Sequence, residues 1–203
     1  MLQLLLAVVI LSGILICGFR RVKLLTLSFA FQSLAITFIC IIAGYNTKEV
    51  HFFIIGVLTL VIKVFIIPYI IEKSIKYLKV KREMDLIINI INSFIISGLF
   101  IIIIFAFFRN LDNTYLKTGL FLGLVGATLM IGRKKAITQM IGLLTIENGI
   151  ILFEMSVVKL SLVLEAWMAL EVLVLALLMG IMIFHINKTF DTVNTDYLSN
   201  LKE

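Results

Sequence analysis

Three ionisable residues stand where a soluble chain would place none: Lys63 in "TLVIKVFII", Glu147 in "GLLTIENGIILFE" and Glu171 in "AWMALEVLVLALL". A charge at the centre of a bilayer costs roughly 2.5–3.5 kcal/mol on insertion scales and more by other estimates. Burial disfavours the charged forms of both carboxyls and amines, so groups of these types can exchange protons near neutral pH. A donor, an acceptor and intervening water are sufficient for a proton or ion relay, with no nucleophile or cofactor. The competing reading is structural: a membrane carboxylate bonded to a neighbouring helix, or a lysine held in an ion pair that fixes packing.

Other polar residues surround these candidates. Pro68 follows Lys63 in "IKVFIIPYII" and removes a backbone bond, which frees the carbonyl of Val64 beside the lysine. That break either admits water or is an ordinary membrane-helix kink. Glu154 shares nearly the same helical face as Glu147, about two turns further on, and could extend a relay outward. Gln32 and Asn148 can hold water or bond between helices. Glu165 reads as solvated, and His51 and His185 read as interfacial. Cys17 and Cys40 are single thiols in separate apolar runs, without the clustered spacing of a zinc or iron–sulfur site, and read as packing residues.

The elements that must carry these groups are membrane spans. Hydrophobic residues make up 62% of the chain and charged residues 15%, and the mean hydropathy is +1.16, far outside the range of a soluble domain. The apolar residues fall into seven blocks, 2–19, 24–43, 52–71, 86–108, 115–132, 136–158 and 162–186. Each is long enough for a helix rising about 1.5 Å per residue to cross about 30 Å of hydrocarbon. The alternating strands of a barrel are absent, so the expected fold is an all-α integral membrane protein of seven transmembrane helices. The first block has no basic region before it and no small-residue cleavage site after it, which reads as a retained span. Counted along such helices, Lys63 and Glu147 lie about 17–18 Å from a surface and Glu171 about 14 Å, a common level near the midplane.

Basic residues set the expected orientation. Most of the 18 Lys and Arg fall after spans one, three and five or in the tail, namely Arg20, Arg21 and Lys23; Lys73, Lys76, Lys79, Lys81 and Arg82; Arg133, Lys134 and Lys135; and Lys188 and Lys202. Lys48, Arg109, Lys117 and Lys159 fall on the other side. The N-terminus is therefore expected outside and the tail in the cytoplasm. The net charge of +6 needs no nucleic acid, because topology and inner-leaflet lipid account for a basic cytoplasmic face. The chain reads as a single membrane domain over 1–203. Residues 1–85 form a three-helix unit ending in the charged stretch 72–85, expected to be a short interfacial helix. Residues 86–114 are a connecting helix and loop, 115–186 a second three-helix unit, and 187–203 a polar tail. "FRRVKLLTLSFAFQSLAI" and "GRKKAITQMIGLLTIENGII" each place a basic cluster before a helix with a mid-depth polar residue, a pattern that suggests an old duplication.

"RKKAITQMIGLLTIENG" followed by "WMALEVLVLALL" resembles the K subunit of respiratory complex I, a three-helix proton-channel subunit. The family places one glutamate after a basic loop and another in the next helix, and Glu171 is the closer match. Over the whole chain, "SFAFQSLAI", "IKVFIIPYII", "MIGLLTIENG" and "TFDTVNTDYLSNLKE" resemble the hydrogenase-4 component E family, a membrane subunit of formate hydrogenlyase-type group 4 [NiFe] hydrogenase complexes. That resemblance points to Gln32, Lys63, Pro68, Glu147, Asn148 and Glu171 as the polar positions of interest. It implies a non-catalytic subunit of the cell membrane that helps couple electron transfer in its partners to movement of protons or sodium ions. No cofactor is expected in this chain; a nickel-iron centre and iron–sulfur clusters would belong to soluble hydrogenase subunits. Antiporter-like and quinone-site-like membrane subunits would be further partners. The alternatives are a subunit of a multisubunit sodium/proton antiporter and a pure membrane scaffold.

Overall fold

The computed structural model describes residues 2–78 and 86–156, together with Val174. The described elements are all helices, in the order α1 (Leu2–Gly18), α2 (Val22–Thr47), α3 (Val50–Thr59), a π-helical segment (Leu60–Ile66), α4 (Ile67–Leu78), α5 (Ile90–Phe107), α6 (Thr114–Gly132) and α7 (Ala136–Ser156). Helices are what an apolar backbone must form in lipid, since each N–H and C=O then finds its partner within the segment. The runs Val22–Thr47, Val50–Lys73, Ile90–Phe107, Thr114–Gly132 and Ile137–Ser156 are each long and apolar enough to cross a membrane, and α1 is a shorter apolar helix of 17 residues. The chain is thus a multi-pass membrane protein, with helices on the expected spans one to six. The expected seventh span 162–186, with Glu165, Glu171 and His185, lies outside the described residues except for Val174, as does the tail 187–203. Val174 is helical and packs against the core.

Two expected boundaries shift. The third span does not stop near 71. The spacing of Ile67, Ile71 and Ile75 carries one apolar face into the charged stretch, with Ile71 fully buried and Glu72 and Lys73 exposed. Residues 72–78 therefore continue the third helix as amphipathic α4 rather than starting a new one, and 79–85 lie outside the described residues. The fourth helix begins at Ile90 because the residues before it bond elsewhere. Leu86 forms an antiparallel bridge with Arg133, and the Ile87 amide donates to the Gly132 carbonyl at 3.0 Å.

α1 and α2 lie at the centre. α1 packs on α2, α5 and α6, whereas α2 packs on α1, the whole third helix and α7. Their shared core includes Ile16, Phe29, Ile36, Ile39, Phe121, Leu122, Ile141 and Leu144. Among the described helices the closest approach is between α6 and α7. A Cβ on Gly126 would stand 2.5 Å from the Gly142 carbonyl oxygen, and one on Gly119 would stand 2.6 Å from that of Gly149. Only glycine allows these backbones to meet, and small residues are how helices gain packing contacts where lipid removes the hydrophobic drive. Large side chains such as Phe31, Val57, Phe65, Ile102 and Phe107 cover the outside, as suits a surface whose solvent is hydrocarbon.

The two ends of the bundle are tied differently. At one end the buried Arg133 donates through Nη2 to the carbonyls of Cys17 at 2.9 Å and Phe19 at 3.0 Å, satisfying the last turn of α1. Gln139 likewise donates to the Arg133 carbonyl at 2.8 Å. Arg20, Arg21, Lys23, Arg133, Lys134 and Lys135 thereby gather at this basic end. At the opposite end Asn113 caps α6, accepting from the Leu116 amide at 3.2 Å and donating to the Ser156 carbonyl at 3.3 Å.

Candidate functional site

The buried polar residues of α2, the π segment and α7 converge near the middle of the bundle. α7 supplies Glu147 and Asn148, held in place by the adjacent Gly149, which fixes α7 against α6. α2 supplies Gln32 and Ser33 and lies against both α7 and the π segment. The π segment supplies Lys63. There the backbone bonds to residue i−5, as when the Ile67 amide donates to the Ile62 carbonyl, and such widened turns recur at functional positions. The expectation of a proline break beside Val64 is modified here: the interruption precedes Pro68 and takes the form of a π segment. Continued by one residue, its register would assign the N–H that Pro68 lacks to the carbonyl of Lys63 itself.

Lys63, Gln32, Ser33 and Asn148 are fully enclosed, and Glu147 is 7% exposed. The Lys63 ammonium lies 3.4 Å from Glu147 Oε2 and donates to Asn148 Oδ1 at 3.3 Å. Asn148 Nδ2 donates in turn to Gln32 Oε1 at 3.2 Å and to Ser33 Oγ at 3.0 Å. An ammonium has only donors, so Asn148 must turn its oxygen toward Lys63 and its amide protons toward α2. Gln32 must then present its own oxygen. Its Nε2 is left facing α1, 3.6 Å from where a Cβ on Gly13 would stand, without a hydrogen-bond partner among the described residues. The charge on one lysine thus fixes the direction of an amide chain running across three helices.

The contacts of Lys63 with Glu147 and Asn148 exceed the roughly 2.7–2.9 Å of a tight charge-assisted bond. The hydroxyls of Thr59, four residues before Lys63, and of Thr118 on α6 are enclosed without a bonding partner among the described residues. Beside a charged pair such as Lys63–Glu147, an enclosed hydroxyl like that of Thr59 is where proteins hold internal water. Chemically, the cluster is a continuous polar path from the Lys63–Glu147 pair through Asn148 to Gln32.

The expected residues therefore divide. Lys63, Glu147, Asn148 and Gln32 come together, whereas Pro68 acts only through the backbone at the end of the π segment. Glu154 is partly buried further along α7. Glu171 lies outside the described residues. Sequence reasoning missed Ser33, Thr59 and Thr118. Ser33 and Thr59 had a signal, being adjacent to Gln32 and one helical turn from Lys63. Cys17 and Cys40 are buried and form no disulfide among the described residues, with Cys17 accepting from the Ser97 hydroxyl at 3.4 Å. Among the described residues no group of three or more His, Cys, Asp or Glu is arranged to hold a metal ion. Comparison with protein families, curated proteins and solved structures found no match for this chain.

Proposed function

We propose that this chain is a non-catalytic membrane subunit of an energy-converting hydrogenase or complex I-like assembly. In this reading it helps couple electron transfer in partner subunits to movement of protons or sodium ions. The observation that supports the coupling role is the enclosed Lys63–Asn148–Gln32 chain with Glu147 at its side, placed mid-bundle where charge is most costly. The redox half rests on the resemblance of its motifs to hydrogenase-4 component E. The full subunit would have seven spans in the cell membrane, with its basic end and tail in the cytoplasm and Glu171 at the level of Glu147.

The test separates chemistry from transport. Glu147→Gln and Glu171→Gln keep shape while removing the exchangeable proton, and Lys63→Met removes the ammonium at similar volume. In the assembled complex these changes leave redox activity with soluble dyes largely intact and reduce ion pumping into sealed vesicles. Unaltered pumping by an assembled Glu147→Gln, Glu171→Gln variant overturns the relay. The second reading is a scaffold, favoured by the direct Lys63–Glu147 contact, which can act as a fixed bond between helices. It predicts that the same variants either fail to assemble or behave as the parent.

A further inference from the structure

An apolar groove of about 460 Å³ runs along α2 between α1 and the π segment, lined by Ser12 and Leu15 of α1, Leu27, Phe31 and Leu34 of α2, and Val64. On α1 it lies within the last two turns before Gly18, and on α2 it extends from about 7 to 18 Å beyond Val22. It therefore occupies the half of the bundle nearer the basic end, close to the roughly 15 Å of hydrocarbon in one leaflet.

The groove leads toward positive charge that no described carboxylate pairs. Lys23, Leu27, Phe31 and Leu34 share one face of α2, each three or four residues from the next. Arg21 and Lys23 are exposed, Arg20 is partly exposed, and Arg20 Nε is enclosed without a hydrogen-bond partner among the described residues. No ion pair joins any of the three to a described carboxylate. α2 also starts without a side-chain cap and with no acidic residue in its first turn. Three cations crowd the positive end of its dipole, an arrangement that is unfavourable unless an anion offsets it.

We infer that this face binds one anionic phospholipid from the leaflet at the basic end. Arg20, Arg21, Lys23 and the first amides of α2 hold the phosphate, and the groove holds an acyl chain. Topology alone explains basic residues at this end, but it does not require that they continue the line of a lipid-deep groove. The inference does not depend on the coupling role proposed above.

The experiment uses the full chain purified in mild detergent and titrated with phosphatidylglycerol, phosphatidylcholine or sn-glycerol 3-phosphate. Native mass spectrometry counts retained lipid, and thermal melting follows stability. Phosphatidylglycerol is expected to bind at one site and raise the melting temperature, whereas phosphatidylcholine and glycerol phosphate do neither. Arg20→Gln with Lys23→Gln lowers phosphatidylglycerol affinity about tenfold or more. Ala30→Phe, which fills the groove from its α2 wall, lowers it without changing charge. Ser28→Phe fills it from a neighbouring position if Ala30→Phe does not fold, and circular dichroism checks the helical content of each variant. Equal responses to the two lipids, full stabilisation by glycerol phosphate, or parental affinity in the charge variant or in a folded groove variant overturns the proposal.

Discussion

α7 makes two contacts of opposite character within about two turns of helix. Toward α6 it offers Gly142 and Gly149, where backbone meets backbone and a single Cβ would collide. Toward α2 and Lys63 it offers Glu147 and Asn148, joined by bonds of 3.0 to 3.4 Å through long side chains. The first contact is specified by shape and tolerates almost no added volume. The second is specified by hydrogen-bond direction and, among the described residues, leaves polar atoms of Gln32 and Thr59 unfilled. A helix pinned on one side can carry a loosely coordinated charge on the other, because the pinning limits how far the polar cluster can relax.

The largest expected effect comes from breaking the glycine seam. Gly126→Leu would drive a side chain into the Gly142 carbonyl and Ile146, with an expected cost of about 3 kcal/mol or more. The yield of folded protein in detergent should fall to a small fraction of the parent. Gly123, on the same helix, meets no described neighbour within 4 Å of an added Cβ, so Gly123→Ala should leave the melting temperature within a degree or two. Equal tolerance of the two substitutions would show that α6 and α7 are not held together as described.

These two contacts were unequally legible in the sequence. Lys63, Glu147, Asn148 and Gln32 stood out because a polar residue in an apolar run is rare and costly, and counting along ideal helices gave Lys63 and Glu147 a common depth. The helix positions followed from block length alone, to within a few residues for most ends. The seam did not stand out, because a glycine in a membrane helix is unremarkable until its partner is known. Its trace was present: Gly119 and Gly126, and Gly142 and Gly149, repeat at the same interval on two antiparallel neighbours. The π segment was also hidden, since Pro68 marks a disturbance without fixing its register. Arg133 read as a topology signal and proved also to cap α1.

Next in size is the loss of Asn148, the residue that links three helices. Asn148→Leu keeps approximate volume but strands Gln32, Ser33 and one contact of Lys63. Buried groups left unpaired cost about 1–3 kcal/mol each in water-soluble proteins, and about 0.6 kcal/mol per bond is the average between membrane helices. A destabilisation of about 2 kcal/mol is expected in reversible unfolding from mixed micelles, smaller than for Gly126→Leu. A larger cost would mean that the polar cluster, rather than the seam, holds α7 in place.

A smaller effect is expected from the ion pair itself. Lys63→Met and Glu147→Gln should each destabilise, and the double variant should cost less than their sum, with a coupling of about 1 kcal/mol. The modest value follows from the 3.4 Å separation and from the ability of an abandoned carboxyl to take up a proton. Additive costs would show that the two groups do not sense each other, and the charge on Lys63 would then have no route to Glu147.

The smallest effect compares the two contacts through a pair of matched hydroxyls. Thr118 lies on α6 beside Gly119 and the seam, and Thr59 lies one turn from Lys63; both hydroxyls are enclosed without a partner among the described residues. Valine has nearly the same shape, so each substitution removes a hydroxyl and little else. In the dry seam Thr118→Val removes an unsatisfied group and should be neutral or stabilising by up to about 0.5 kcal/mol. Beside Lys63 the hydroxyl is a natural anchor for an internal water, so Thr59→Val should destabilise by about 1 kcal/mol and slow ion movement in the assembled complex. Opposite signs in the two melting temperatures would mark one contact as dry and the other as hydrated. Equal gains in both would mean that Lys63 and Glu147 face each other without water, which favours a fixed strut over a relay.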